Sequence, residues 1–274
     1  MVSGQRTIAG GNMAADYQAI AQQLAREHAS GQDFRPLAPE QGIADLDAAY
    51  AVQRAFVGVM QAQSGAAPIG YKIGLTSKRM QAMCGIDQPI AGVVLANRSH
   101  ASGVVLPARN YGRIGLEFEI GVKLGRDLPA RLAPFTMHAI SDAVAAVCPA
   151  VEVVDDRHAD YKKLEVASLV ADNSWNGGIV LGEFRANWPD LVSIAGVVRR
   201  DGVEVDRGLG RDVLGHPFEP LTWLANHLAR TGDGLRAGDI VLTGSLVTTR
   251  FPTETEAYAF DLAGLGTVEV TVTV

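Results

Sequence analysis

From Ile69 to Val274 the chain is written in short β-branched and apolar runs cut apart by glycine and proline. That texture suits many short strands with a few inserted helices. Strands are expected at Gly70 to Ile73, Gly92 to Leu95, Leu116 to Leu124, Ala150 to Val154, Gly178 to Leu181, Ile194 to Arg199, Asp239 to Thr243 and Thr267 to Val274. Helices are expected at roughly Lys78 to Cys84, Phe135 to Val147 and Glu219 to Thr231. Strand and helix do not alternate as in a doubly wound sheet, so the expected fold class is α+β with a mainly β core. Upstream the period changes. Residues from about Met13 to Ala29 carry Ile20, Ala21 and Leu24 at helical spacing and stop at Gly31. After the Arg35-Pro36-Leu37-Ala38-Pro39 loop, a second helix starts behind Asp45 as cap and runs through Tyr50, Val52, Phe56 and Val59 to Gly65. The expected division is an N-terminal helical arm over 1–68 and a β-rich catalytic core over 69–274.

With 274 residues, 47% of them hydrophobic and 20% charged, the chain has material for a sizeable core and is not disordered in composition. Twenty-four Lys and Arg against 30 Asp and Glu give a net charge of -6, which offers no footprint for nucleic acid or an anionic membrane. Small-molecule ligands are favoured, and an anionic one needs a local positive centre. Cys84 and Cys148 stand far apart without zinc or redox spacing, consistent with a reducing, cytoplasmic setting. Met1 to Gly11 lacks the apolar stretch of a signal peptide, and the longest apolar run, Ala143 to Val154, is broken by Pro149 and Glu152, so no membrane segment is expected. Gly208-Leu-Gly210 has part of a dinucleotide fingerprint, but the third glycine is missing and no strand is expected to feed it.

In Leu116-Glu-Phe-Glu-Ile-Gly-Val-Lys-Leu124 the apolar residues alternate strictly, which leaves Glu117 and Glu119 together on the other face. Two like charges one strand repeat apart, about 6.6 Å, repel by roughly 2.5 kcal/mol at an effective dielectric near 20. Water on an exposed face relieves that repulsion, and so does a cation; the solvated face is the commoner case. Glu152 lies in Pro149-Ala-Val-Glu-Val-Val154, a run that reads as buried on both faces. A carboxylate there needs a partner: a salt bridge to Arg113 or Arg157, or a metal. Three carboxylates without nearby His or Cys suit a hard cation, Mg²⁺, Mn²⁺ or Ca²⁺, better than zinc.

Lys72, in Ile69-Gly-Tyr-Lys-Ile-Gly74, has Gly70 and Gly74 as its same-face neighbours, so nothing bulky covers it. It is either an exposed strand charge or an ammonium projecting into a cavity, where it could trade protons near neutrality. Asp87, in Cys84-Gly-Ile-Asp-Gln-Pro89, is by itself a turn residue whose interest lies in pairing with Lys72. Ala171-Asp-Asn-Ser-Trp-Asn-Gly-Gly178 is a polar loop in which Trp175 needs something to pack on, either a ligand or a core edge. Gly238-Asp-Ile-Val-Leu-Thr-Gly-Ser245 ends in a turn able to offer N–H groups and hydroxyls to a carboxylate. His216 stands without a second histidine at metal spacing and reads as structural.

Taken together, Gly70-Tyr-Lys-Ile-Gly-Leu-Thr-Ser77, Gly85-Ile-Asp-Gln-Pro89, the Glu117-x-Glu119 strand ending in Arg126-Asp-Leu-Pro129, Val151-Glu-Val-Val-Asp155, Ala171-Asp-Asn173, Leu214-Gly-His-Pro217 and Ala237-Gly-Asp-Ile-Val-Leu-Thr-Gly244 resemble a known family. It is that of the 2-oxopent-4-enoate (2-hydroxypentadienoate) hydratases and 4-oxalocrotonate decarboxylases of aromatic meta-cleavage catabolism, within the fumarylacetoacetate hydrolase superfamily. The resemblance implies a mixed β-roll core, a homo-oligomer, Glu117, Glu119 and Glu152 as ligands of Mg²⁺ or Mn²⁺, and Lys72 with Asp87 in proton transfer. Asn173, Trp175 and Ser245 are the expected substrate contacts. The departure is Ser174-Trp-Asn-Gly-Gly178, where many relatives carry small residues. The expected activity is hydration of a small 2-oxo acid of the 2-oxopent-4-enoate kind, with the decarboxylase as close rival. Acylpyruvate hydrolysis ranks lower for want of an evident histidine base. A non-catalytic subunit supporting a pathway enzyme is the alternative of another class; the clustered carboxylates speak against it.

Overall fold

The computed structural model describes residues 16–37, 41–43 and 45–274. The Met1 to Gly11 stretch, the expected helix start at Met13 and the Ala38-Pro39 part of the first loop lie outside the described residues. Helices α1 (Tyr17–Ser30) and α2 (Leu46–Ser64) end at Gly31 and Gly65, both in the left-handed conformation that favours glycine. Asp45 caps α2 by accepting the Ala48 N–H. Then follow β1 (Pro68–Gly74), α3 (Lys78–Met83), β2 (Ile90–Leu95), β3 (Ser99–Ala101), β4 (Val104–Pro107), β5 (Ile114–Leu124), α4 (Met137–Ala143) and β6 (Val144–Asp155). The remainder is α5 (Val166–Ala171), β7 (Asn176–Leu181), β8 (Ala195–Arg200), β9 (Val203–Leu209), α6 (Phe218–Ala229), β10 (Ile240–Ser245), β11 (Glu256–Leu262) and β12 (Gly266–Thr273).

Among the described residues the strands form two mixed sheets, of seven in the order β2-β1-β10-β5-β6-β7-β3 and of five in the order β4-β12-β11-β8-β9. The α+β class therefore holds, and neither sheet closes into a barrel. The apolar face of β5 does what its alternation dictates: Leu116, Phe118, Ile120, Val122 and Leu124 are buried in one cluster with Tyr258, Phe260, Val268 and Val270 of the second sheet. Phe118 lies 5.6 Å from Phe260 and 5.8 Å from Tyr258, ring centre to ring centre. A second cluster joins α1 and α2 to Ile90, Val154, Leu169, Val170 and Trp175.

Some boundaries differ from the sequence reading. The expected helix to Val147 stops at Ala143, and β6 takes over, because Val144, Val147 and Cys148 gain partners along the whole length of β5. β3, β4, β9, β11 and α5 were not expected. β3 and α5 are too short to show a period, while β9 is a polar edge strand and β11 carries Glu256 and Asp261 among alanines. A strand does feed Gly208-Leu-Gly210, namely β9, so that part of the fingerprint reading is corrected. These glycines instead admit backbone: a Cβ on Gly208 would lie 2.2 Å from the Leu246 carbonyl oxygen.

Polar contacts tie the helices to the sheet. Gln53 Nε2 donates to the carbonyls of Ala91 and Val170, both at 2.8 Å, and Tyr50 Oη accepts the Ala91 N–H. The fully buried Arg157 donates to Asp172 Oδ2 at 2.7 Å and to the Gln32 carbonyl at 3.0 Å, while Asp172 Oδ1 meets His28 Nε2 at 2.6 Å. Removing one member of a buried pair leaves an uncompensated charge. Asp172→Ala is expected to lose about 3–5 kcal/mol of unfolding free energy in urea titrations; an unchanged midpoint and slope would contradict this anchoring.

Candidate metal centre

The antiparallel register of β5 and β6 sets Glu117 directly opposite Glu152, and Glu119 follows two residues along the same face of β5. Directly opposed side chains have Cβ atoms about 4.5–5.5 Å apart, which is destabilising for two like charges. One carboxylate oxygen from each of Glu117, Glu119 and Glu152 lies within 4.8 Å of the others. Glu119 and Glu152 are both 0% exposed, and Glu117 is half-buried. The solvated-face alternative for the Glu117–Glu119 pair is therefore excluded for Glu119.

Lys72, 4% exposed, reaches this cluster from β1 and sits 3.1 Å from Glu152 Oε1. Gly74 lies against it: a Cβ there would be in ordinary contact with Nζ at 3.5 Å and would crowd Ile90 Cγ1 at 3.3 Å. Gly70 serves another purpose than the open face read from the sequence. Its φ is 152°, and a Cβ would come within 1.8 Å of the Ile240 carbonyl oxygen where β1 meets β10. The salt-bridge alternatives for Glu152 are both spent elsewhere: Arg113 donates to Asp156 through Nε at 2.7 Å, and Arg157 is held by Asp172.

Further donors surround the glutamates. The bulge in β10 between Leu242 and Ser245 turns the Gly244 N–H onto Glu119 Oε2 at 2.6 Å. Gly244 has φ 112°, and a Cβ there would overlap Thr76, 2.0 Å from its Oγ1. Thr249 Oγ1 donates to Glu117 Oε1 at 2.6 Å, and Asn176 Nδ2 to Glu152 Oε1 at 3.2 Å. Neither side chain stood out in the sequence: Thr249 lies in a loop without periodicity, and Asn176 was visible only as a member of a polar loop.

Burial pushes the Glu152 carboxyl up to about 7, against the pull of Lys72 and with the charge of Glu117 adding to the rise. Burial also holds Glu119 well above the ordinary carboxylate range, reinforced by Glu152 and Glu117 and opposed by the Gly244 N–H. For Lys72 burial works downward, but the charges of Glu152, Glu117 and Glu119 together outweigh it and raise the ammonium above its ordinary value. Even so, Glu119 Oε1 and Glu152 Oε2 remain buried without a hydrogen-bond partner. Three carboxylates with oxygens within 4.8 Å of one another, two of them carrying an unpartnered buried oxygen and all hard donors, fit a hard divalent cation.

The other expected site residues are placed differently. Asp87 is exposed on the turn after α3 and makes no ion pair with Lys72. Asn173 spends its amide on β2, donating to the Val93 carbonyl at 2.9 Å and accepting the Val93 N–H at 2.7 Å. Trp175 is buried in the cluster of the N-terminal helices, edge-on to Phe34 at 5.1 Å and Tyr161 at 5.7 Å, so it covers a core edge. Ser245 lies opposite Glu119 in the β10–β5 pairing but turns Oγ to the backbone, accepting the Phe118 N–H and donating to the Val247 carbonyl. His216 Nδ1 accepts the Phe218 N–H at the start of α6, the structural role expected.

The family model described as Fumarylacetoacetate (FAA) hydrolase C-terminal matches residues 76–273, well over half of the chain. The chain belongs to the fumarylacetoacetate hydrolase family. Family membership extends upstream of that match in curated relatives. A protein named 2-keto-4-pentenoate hydratase 2, from Dechloromonas aromatica, is 36% identical over 92% of this chain and 95% of its own length. One named 2-oxo-hept-4-ene-1,7-dioate hydratase, from Escherichia coli, is 30% identical over 91% of this chain and 95% of its own length. Among solved structures, 4-oxalocrotonate decarboxylase from Pseudomonas putida G7, complexed with magnesium and adipate, superposes with a TM-score of 0.87 at 26% identity. That match covers 98% of this chain and 100% of the decarboxylase.

The raised carboxylates make stability pH-dependent in a definite direction. Between the ordinary carboxylate value and about 7, native Glu152 keeps a proton that the unfolded chain has released. The native state then binds more protons, so stability falls as pH rises through this window. Glu119 acts with the same sign, whereas the raised Lys72 loses its contribution only in the alkaline range. The metal-free protein should therefore melt lower at pH 7.5 than at pH 5, and millimolar Mg²⁺ should raise the melting temperature more at pH 7.5. Equal Mg²⁺ effects at both values would contradict the centre.

Proposed function

We propose that this protein is a divalent-metal-dependent hydratase that adds water to a 2-hydroxy-dienoate, or its 2-oxo-alkenoate tautomer, to give a 4-hydroxy-2-oxo acid. 2-Oxopent-4-enoate is the proposed type substrate. The observation that carries the proposal is the convergence of three glutamate oxygens within 4.8 Å, with two buried carboxylate oxygens left unpartnered beside Lys72. Relatives above 30% identity that bear the hydratase name over nearly their whole length supply the substrate class.

Glu117, Glu119 and Glu152 would hold the cation, and all-oxygen ligation favours Mg²⁺ or Mn²⁺. A cation bound there supplies a positive centre for the substrate's carboxylate and 2-oxygen in a chain of overall negative charge. Lys72 is the proton carrier. It delivers a proton to the carbon chain while the 2-hydroxyl gives up its own, which converts the dienol to a conjugated 2-oxo-alkenoate. Water then adds across the alkene, its oxygen to C4 and a proton to C3. The Glu152 carboxylate 3.1 Å away holds the ammonium at the cluster. A part for Asp87 in the same transfer requires its exposed turn to close toward Lys72.

Decarboxylation of a vinylogous 2-oxo diacid is the second reading, favoured by the whole-chain likeness to 4-oxalocrotonate decarboxylase. The monoacid is preferred here because Arg113 and Arg157, which flank the carboxylate strands, are both committed to buried aspartates. Ultraviolet loss of 2-hydroxypenta-2,4-dienoate and of 2-oxohex-3-enedioate, with CO₂ followed in parallel, separates the two. The hydratase reading expects Mg²⁺-dependent, EDTA-sensitive loss of the former without CO₂; CO₂ release from the diacid as the main reaction would replace it. Lys72→Ala should reduce turnover by at least about 100-fold, the usual lower bound for losing a proton-transfer group. Its Mg²⁺ affinity in calorimetry should be retained, and an active Lys72→Ala enzyme would remove the lysine from the mechanism.

A further inference from the structure

Immediately before β7 the backbone does something side chains normally resist. Asn173, Ser174 and Trp175 all have left-handed backbone, with φ of 50°, 52° and 57°, and none is glycine. Such backbone is strained and persists only where its surroundings enforce it. Here they do. The Asn173 amide clamps both backbone groups of Val93, Ser174 Oγ donates to the Ala91 carbonyl at 2.9 Å, and Trp175 is wedged between Phe34 and Tyr161. Strain maintained by several independent contacts points to something that the strained segment delivers.

What it delivers is Asn176. The pairing of β6 with β7 passes from Val153–Gly178 to Val154–Asn176, so Gly177 is an extra residue, a bulge that re-aims the side chain before it. Asn176 faces Val154, which lies two residues from Glu152 on the same side of β6. From there its Nδ2 reaches Glu152 Oε1 at 3.2 Å, beside Lys72 Nζ at 3.1 Å on the same oxygen. Oε1 is thus fixed from two sides, and Oε2 is the oxygen left without a partner.

We propose that Asn176 is a positioning residue for the cation: it locks the Glu152 carboxylate so that Oε2 faces the ligand cluster, and the strained Asn173–Trp175 segment serves to hold it there. This rests on the reading of Glu117, Glu119 and Glu152 as cation ligands. Lys72 bonds the same oxygen, but its positive charge opposes a cation bound beside it, whereas the neutral carboxamide of Asn176 fixes Oε1 without that repulsion. Groups that orient a ligand without touching the metal typically account for 10- to 100-fold in affinity.

Calorimetric titration of the full-length, EDTA-stripped protein with MgCl₂ tests this, alongside Asn176→Leu, Asn176→Ser and Glu152→Gln. Asn176→Leu keeps the branched side-chain skeleton and removes the donor, and should weaken Mg²⁺ binding about 10- to 100-fold. Asn176→Ser, which retains a hydroxyl donor, should recover part of the loss, and Glu152→Gln should weaken binding further than either. Should the leucine variant not fold, Asn176→Ala is read by the same criterion. Leucine or alanine variants that bind Mg²⁺ within twofold of wild type, while Glu152→Gln does not bind, overturn the role of Asn176 and leave the cation site standing. Equal loss in the serine and leucine variants with an equally lowered melting temperature also overturns it, as a folding effect. Absence of Mg²⁺ and Mn²⁺ binding in the wild type overturns the cation site and this proposal together.

Discussion

Three carboxylates set against one ammonium in a water-poor strand pair is the imbalance around which the rest of the molecule is arranged. Glu119 and Glu152 are fully buried, Glu117 stands across from Glu152, and Lys72 neutralises only part of the charge. Taking an ion out of water costs several kcal/mol, and like charges opposed across a ladder add to that. The apoprotein lowers the cost by keeping Glu119 and Glu152 protonated to higher pH than ordinary carboxylates. A divalent cation removes the cause, which is why the arrangement makes sense as a site and poorly as a structural salt bridge.

The surrounding fold keeps that imbalance from collapsing. The apolar half of β5 is packed against the second sheet through Phe118, Tyr258 and Phe260, so the strand cannot slip by one residue without sending its glutamates into the core. The β10 bulge brings the Gly244 N–H to Glu119, and the N-terminal helices brace the segment before Asn176 through Phe34 and the Arg157–Asp172–His28 contacts. The helices at the start of the chain and the donors around the carboxylate cluster are therefore linked by contiguous contacts.

Much of this was legible in the sequence because strand alternation is a strong local signal. The β5 alternation put Glu117 and Glu119 on one face, and the apolar run around Glu152 marked it as a charge in need of a partner. The glycines flanking Lys72 marked it as a lysine without a bulky neighbour on its face, and Gly74 does lie against the ammonium. What escaped was non-local. Thr249 and the Gly244 N–H reach their glutamates through a loop return and a bulge that leave no period in the chain. Trp175 read as a pocket residue because a tryptophan in a polar loop needs a surface, and the surface it found is supplied by Phe34, well over a hundred residues earlier. The resemblance to known enzymes, rather than any spacing, supplied the 2-oxo acid.

The most direct measurement is a crystal structure of the protein grown with Mn²⁺, with data collected at the manganese absorption edge. A single strong anomalous peak should lie among the carboxylates of Glu117, Glu119 and Glu152, with Glu119 Oε1 and Glu152 Oε2, the oxygens without partners, among its ligands. No peak there at saturating Mn²⁺, or one bound elsewhere while Lys72 still pairs with Glu152, would contradict the account at its centre.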